Sequence, residues 1–133
     1  MCTDTPRQQV VLPADASAPR AARAWLRAVG CSTHGGELLD DAQLLVSELV
    51  TNAVRYGAPP VVLAVDCDGG GLHVRVRDGS PALPVPRAAA ADEESGRGFL
   101  LLDLLSGRWG VEAESEGAGG KEVWFHLQRP AAG

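Results

Sequence analysis

The chain has 133 residues, of which 45% are hydrophobic and 22% charged, and its formal net charge is -5. This composition is typical of a single soluble globular domain, and the acidic balance argues against sequence-independent binding to nucleic acid. The three cysteines are widely spaced and form no C-x-x-C pair, which excludes a disulfide framework and a zinc motif. No apolar run is long enough for a membrane-spanning helix, so we predict a cytoplasmic protein.

The N-terminal half predicts one strand and two helices. Residues 1–8 are interpreted as a flexible tail and residues 9–13 as the first strand. A helix follows, with Ser17 as its N-cap and Gly30 at its end. The apolar periodicity of residues 37–56 predicts a long second helix, which a glycine and two prolines terminate.

The C-terminal half predicts mainly strands. Residues 61–68 are apolar, and residues 72–78 alternate apolar and polar side chains with a period of two. A long connection over residues 79–95 leads to a glycine-opened third helix, and two closing strands end the pattern, RWGVEAESE and KEVWFHLQ.

The order β-α-α-β-β-α-β-β predicts an α+β two-layer sandwich. We expect a mixed, mostly antiparallel sheet with the helices packed on one face. Residues 9–128 would form this single domain, and residues 129–133 would form a short C-terminal tail.

Polar side chains occupy one side of the second predicted helix. At about 100° per residue, Glu48, Asn52 and Arg55 fall near each other, opposite a broad apolar face. An amide oxygen is a ligand that suits Mg²⁺, a carboxylate one turn earlier can act as a general base, and an arginine can contact a phosphate oxygen. A solvated helix face is the alternative, although Asn is a poor helix former and calls for a reason to be there.

Two glycine-containing segments further along are candidates for ligand contacts. Asp78 ends the alternating strand, where its carboxylate can accept a hydrogen bond from a base such as adenine, and Gly79 lets a base approach the backbone. Gly96 and Gly98 open the third helix, where backbone N–H groups form an anion site to which Arg97 adds charge. The alternatives are an ordinary Asp-Gly turn and a flexible hinge.

The segments ELVTNAVRYG, VRDGSP, GRGFLLLDLLSGRWGV and GGKEVWF occur in this order along the chain. Together they resemble the Bergerat-fold (GHKL) ATP-binding domains of histidine kinases and DNA gyrase. Within that group the sequence is most similar to the small bacterial anti-sigma factor serine/threonine kinases, and the resemblance covers almost the whole chain.

The resemblance implies an α/β sandwich with one ATP, Mg²⁺ and a lid. By motif, Asn52 resembles the Mg²⁺ ligand, Glu48 the catalytic carboxylate, and Asp78 the adenine-binding aspartate. The other residues expected in the nucleotide site are Arg55, Gly79, Gly96, Arg97, Gly98 and Lys121. The sequence departs from the family pattern at Lys121, since relatives often carry Thr after the last glycine box.

The resemblance also implies partners. Such kinases hold a sigma factor inactive, phosphorylate a Ser of a STAS-type anti-anti-sigma antagonist, and usually form homodimers. We expect the same partners here, and no direct contact with nucleic acid or membrane. The alternative is a protein-binding module without kinase activity, either gated by nucleotide or independent of it. In that case Arg20, with Arg23 and Arg27, would form a basic face for an acidic partner, although a solvated face also explains these arginines.

Overall fold

A computed structural model of the protein describes residues 5–29, 37–68, 71–80, 105–113 and 120–128. These segments contain five strands and two helices. In chain order they are β1 (Thr5–Leu12), α1 (Ala18–Val29), α2 (Glu37–Tyr56), β2 (Val61–Asp68), β3 (Gly71–Asp78), β4 (Arg108–Ala113) and β5 (Lys121–Gln128).

The five strands form one sheet in the order β1-β2-β3-β5-β4. All four pairings between these strands are antiparallel. Helix α1 lies against β1 and α2, and α2 lies against β2, β3 and β5. The predicted α+β two-layer fold is therefore confirmed.

The core lies between the helices and one face of the sheet. Alternation along β3 and β5 directs every second side chain toward α2, which buries its apolar face on them. Phe125 is the largest fully buried side chain. The central members of this core are Leu45, Val46, Leu49 and Val50 of α2, Leu72, Val74 and Val76 of β3, and Val123, Phe125 and Leu127 of β5.

The opposite face of the sheet carries charged and aromatic side chains. Arg75 of β3 donates to the carboxylate of Glu122 of β5 over 3.0 Å. The ring centroid of His73 lies 5.6 Å from that of Trp124 and 5.9 Å from that of His126. Although the spacing of the aromatic residues in the sequence predicts a core position for Trp124, the alternation of β5 places it on the face away from the helices.

The first strand begins earlier than the sequence indicated. Residues 5–8 were assigned to the N-terminal tail, but β1 starts at Thr5, which pairs with Cys67 of β2. A break in register between Thr5 and Gln8 lets this polar stretch join the sheet without the alternation that marks a strand in the sequence. The other proposed domain boundaries remain predictions.

The polar side of α1 is only partly solvated. Arg20 and Arg27 are exposed, as expected, but Arg23 is half-buried and donates to Ser47 Oγ over 3.0 Å. Gln43 Nε2 in turn donates to the backbone carbonyl of Arg23 over 3.2 Å. Arg23 therefore links α1 to α2, and the basic face for a partner remains a prediction.

Several predicted features lie outside the described residues. These are the third helix from Gly96 onward and most of the connection that precedes it. None of the helices within the described segments is long and apolar enough to cross a membrane.

We expect His73 to make the stability of the fold depend on pH. Burial and the nearby charge of Arg75 lower the pKa of His73 below 6.5, with smaller effects of Asp66, which raises it, and of His126 and Arg108, which lower it. The unfolded chain therefore takes up this proton at a higher pH than the folded chain does. The free energy of unfolding should fall as the pH drops below about 6.5.

Urea unfolding of the wild type and of His73→Gln at about pH 7.5 and about pH 5.5 measures this contribution. The decrease in unfolding free energy should be smaller for the variant, because carboxylates contribute equally to both proteins. Equal decreases would show that protonation of His73 does not oppose folding.

Candidate functional site

A buried ion pair joins the neighbouring strands β3 and β5 at one end of the sheet. Asp78, the last residue of β3, lies directly opposite Lys121, the first residue of β5. Lys121 Nζ is 3.0 Å from Asp78 Oδ1 and 3.0 Å from Oδ2. The side chains of Lys121 and Asp78 are only 10% and 5% exposed. Removing one of the two charged side chains of such a pair costs about 3–5 kcal/mol of stability, because the remaining charge is left buried without a partner.

The Asp78 carboxylate has two further neighbours that fix its orientation. The backbone N–H of Ser80 donates to Oδ1 over 2.8 Å. Gly57, immediately after α2, lies so close that a Cβ there would be 2.5 Å from Asp78 Cγ. The carboxylate is therefore held between the end of α2, the start of β5 and the turn that follows β3.

Position 79 requires a glycine because the segment that follows α2 lies directly against it. Its N–H donates to the carbonyl of Ala58 over 2.7 Å, and a Cβ at this position would lie 2.5 Å from the Pro59 carbonyl oxygen. This close backbone contact explains the glycine without a ligand. The expected contact between Gly79 and a base remains a prediction.

Asn52 lies on α2 with its side-chain oxygen buried. Oδ1 of Asn52 has no hydrogen-bond partner among the described residues. Its helical neighbours behave differently, since Ser47 Oγ donates to the Gln43 carbonyl over 2.8 Å and Thr51 Oγ1 donates to the Ser47 carbonyl over 2.7 Å. A buried polar atom without a partner costs about 1–3 kcal/mol, so Asn52 is not explained by packing.

The other predicted residues of α2 lie on the same helix as Asn52. Glu48 is half-buried one turn before it, and Arg55 is exposed near the end of the helix, where it has an interaction of its own. At about 1.5 Å per residue, Asn52 lies about 7.5 Å and Glu48 about 13.5 Å along the axis from Gly57. Glu48 and Asn52 therefore lie one turn apart on the helix whose C-terminal glycine, Gly57, packs on Asp78.

The donor set suits Mg²⁺ better than a transition metal. Within the described segments no group of three or more His, Cys, Asp or Glu side chains is placed to hold a metal ion. Mg²⁺ needs no such cluster, because it keeps several waters and binds one or two protein oxygens together with phosphates. The unpartnered Oδ1 of Asn52 fits that requirement.

The remaining predicted site residues are distributed as follows. Gly96, Arg97 and Gly98 lie outside the described residues, so their part in a phosphate site remains a prediction. Arg20 is exposed on α1, as a partner-binding residue must be. Lys121 does reach the predicted site, but its observed partner is Asp78.

A cleft of about 320 Å³ also opens at this end of the sheet. Two of its lining residues, Val62 and Arg77, alternate with core residues of their strands and so belong to the face away from the helices. The Asp78 carboxylate, in contrast, lies against the end of α2. Asp78 and Gly79 also line the cleft, so it borders the base end of the candidate site, whereas none of its lining residues belongs to α2.

Sequence reasoning missed the partnership of Asp78 with Lys121 and the role of Gly57, which was interpreted only as a helix stop. A signal for the ion pair was present. Asp78 continues the buried alternation of β3, and Lys121 begins the buried alternation of β5. Two opposite charges at buried positions of neighbouring strands predict an ion pair once the strand order is known.

The model of the histidine kinase-like ATPase domain family matches residues 12–127, from the end of β1 to the end of β5. The chain therefore belongs to this family, as its motifs indicated.

Two similar proteins accompany this assignment. An uncharacterized protein of Streptomyces coelicolor is 34% identical over 76 residues, which are 53% of this chain and 72% of that protein. The crystal structure of the RsbU and RsbW domains of Rv1364c from Mycobacterium tuberculosis matches with a TM-score of 0.67 at 24% identity, over 93% of this chain. The match covers 32% of the longer chain, and at this identity it establishes the shared fold.

We expect Gly57→Ala to lower the free energy of unfolding by about 1–3 kcal/mol, as overpacking of a filled site does. The new methyl group would lie 2.5 Å from Asp78 Cγ and 2.6 Å from the Ala53 carbonyl oxygen, so the carboxylate or the helix end must move. Urea unfolding measures the change.

Gly107→Ala is the matched control, because the nearest atom to a Cβ there is 3.6 Å away. It should change the unfolding free energy by no more than about 0.5–1 kcal/mol, in either direction. If the two variants lose the same stability, the contact between Gly57 and Asp78 does not constrain the site.

Proposed function

We propose that the chain binds ATP with Mg²⁺ along α2 and acts as an anti-sigma factor kinase. The observation that carries this proposal is the buried oxygen of Asn52, which has no partner among the described residues and lies one turn after Glu48 on the helix whose end packs on Asp78. A nucleoside triphosphate has a hydrogen-bonding base at one end and phosphates at the other. The arrangement provides a carboxylate for the first and a metal-binding amide for the second.

Each residue has a separate task in this proposal. Asp78 accepts a hydrogen bond from the amine of the base, and Asn52 holds Mg²⁺ through Oδ1. Glu48 takes the proton from the attacking hydroxyl, and Arg55 binds a phosphate oxygen. Bound ATP would supply the phosphoryl group, and Mg²⁺ would neutralise phosphate charge. The phosphate-loop residues would be Gly96, Arg97 and Gly98.

Phosphoryl transfer needs little covalent chemistry from the protein. Catalysis is mostly positioning together with electrostatic stabilisation, so a small domain with few polar residues is sufficient. The half-buried position of Glu48 on the rigid α2 helix suits a general base, since its distance from Asn52 is fixed by one helical turn.

For partners, we propose a sigma factor, a STAS-type antagonist that receives the phosphate on Ser or Thr, and a second copy of this chain. The likeness to the structure that contains an RsbW domain favours this assignment through the fold. A module that binds proteins without kinase activity is the second candidate. It is favoured by Lys121, which stands where relatives often have Thr and forms an ion pair with Asp78. Arg20 is the exposed residue proposed to contact a partner.

Asn52→Ala should weaken Mg²⁺-dependent ATP binding by about tenfold or more, because an oxygen ligand of the metal is lost. Calorimetric titration with ATP, with and without Mg²⁺, measures this. Gln43→Ala is the control, since it removes an amide from the same helix on the side that faces α1.

The control should bind ATP as the wild type does. If the wild type shows no binding at millimolar ATP, the nucleotide proposal is wrong. If Asn52→Ala binds ATP with unchanged Mg²⁺ dependence, Asn52 does not hold the metal.

Glu48→Gln should reduce phosphoryl transfer by about 10²–10⁴-fold while ATP binding is retained, because the amide cannot accept the hydroxyl proton. Transfer to purified STAS-type proteins of the source organism is followed by mass spectrometry of the modified Ser or Thr. Asp40→Asn, an exposed carboxylate of α2, is the charge-matched control. Transfer by Glu48→Gln at the control's rate would show that Glu48 is not the base.

A further inference from the structure

We propose that Lys121 helps to recognise the base of the nucleotide. Its ammonium donates a hydrogen bond to the unprotonated ring nitrogen that lies beside the amine, while the amine donates to the Asp78 carboxylate. For adenine this nitrogen is N1, next to the N6 amine. The inference rests on the proposed function, because it concerns the base end of the same nucleotide site. It adds a residue that determines specificity and that the family pattern, with Thr at this place, does not supply.

The first observation is that one N–H donor of the Lys121 ammonium has no acceptor among the described residues. A lysine ammonium has three N–H donors. One donates to Asp78 Oδ1, and Oδ2 lies at the same distance of 3.0 Å from Nζ, so that Asp78 occupies at most two of the three. Among the described residues, Asp78 is the partner of this ammonium, and the side chain is 10% exposed. The third N–H therefore lies in an almost dry place where an acceptor on a ligand would be bound strongly.

The second observation is that Asp78 also keeps one position for a ligand. An ionised carboxylate has about four acceptor positions. Three are used, by the N–H of Ser80 on Oδ1 and by Lys121 on each oxygen. Oδ2 therefore has one acceptor position left, beside the ammonium.

Together, Asp78 and Lys121 offer an acceptor and a donor side by side. The adenine edge has the complementary order, with the N6 amine as a donor next to N1 as an acceptor. A hydrogen bond from a cation is shorter and roughly twice as strong as one between neutral groups. The hydrogen bond from Lys121 to N1 should therefore be stronger than one from a Thr hydroxyl.

The position of the ammonium is fixed in advance. Lys121 lies opposite Asp78 in the β3–β5 register, and Gly57 closes the other side of the carboxylate. Neither group can turn away without leaving a buried charge unpaired. A ligand therefore meets a pair whose geometry is already set, which reduces the cost of ordering side chains on binding.

The test changes the ligand and leaves the protein intact. The wild type is titrated by calorimetry, with Mg²⁺, against ATP, against 1-deaza-ATP, in which a C–H group replaces N1, and against 7-deaza-ATP. The last analogue is the matched control, because it loses a ring nitrogen away from this edge. We expect 1-deaza-ATP to bind about tenfold or more weakly than ATP, as the loss of a bond to a charged group predicts, and 7-deaza-ATP to bind within about twofold.

A variant then assigns the effect to Lys121. In Lys121→Thr, the preference for ATP over 1-deaza-ATP should fall to about threefold or less, since a neutral donor replaces the cation. Because this variant leaves Asp78 buried without its cation, Lys121→Arg is measured as well. It keeps the charge and should keep a preference of about tenfold for ATP over its 1-deaza analogue.

The outcomes separate the two proposals. Equal binding of ATP and 1-deaza-ATP by the wild type would overturn the role of Lys121 and leave ATP binding in place. Tighter binding of GTP than of ATP would also overturn it, because the ammonium would then read a carbonyl oxygen. If none of these nucleotides binds, the proposed function fails, and the role of Lys121 fails with it.

Discussion

The contact between Asp78 and Lys121 is the constraint on which this end of the molecule depends. Two opposite charges that are nearly removed from water remain stable only while they face each other, and they do so because β3 and β5 pair in one register. A slip of one residue would turn one charge to the other face of the sheet and leave its partner buried alone. The end of α2 depends on the same group, since Gly57 packs directly on the carboxylate. The ion pair thus depends on the strand register, contacts the end of α2 and provides the charged groups of the proposed base site.

The two faces of the sheet differ because the helices cover only one of them in the described structure. The covered face is apolar and holds α2 in place, which makes the helix a rigid support for Glu48 and Asn52. On the other face, His73, Trp124 and His126 form ring contacts. Their side chains do not serve the core, and His73 titrates at a lower pH than usual because it is partly buried beside Arg75. The proposed nucleotide chemistry and the titration of His73 are therefore separated by the sheet.

The polar residues of α2 divide into two groups with different physical roles. The hydroxyl groups of Ser47 and Thr51 donate to carbonyl groups of their own helix, and Ser47 Oγ also accepts a hydrogen bond from Arg23 of α1. Asn52 does neither, and its buried oxygen has no hydrogen-bond partner. The hydrogen bonds of the described residues therefore account for Ser47 and Thr51 and leave the oxygen of Asn52 unexplained.

The sequence determined the features that depend on neighbours along the chain. The bounds of α2, the alternation of β3 and the motifs that define the family all follow from local periodicity, helix termination and the order of short segments. The resemblance of these segments to a known family also predicted that Glu48, Asn52 and Asp78 belong to one candidate site. Only the tertiary structure decided the partner of Lys121, the face that Trp124 occupies, the attachment of Arg23 to α2 and the early start of β1. Each of these depends on pairing between segments that are distant in the chain. Strand order and register determine that pairing, and a local period does not contain them.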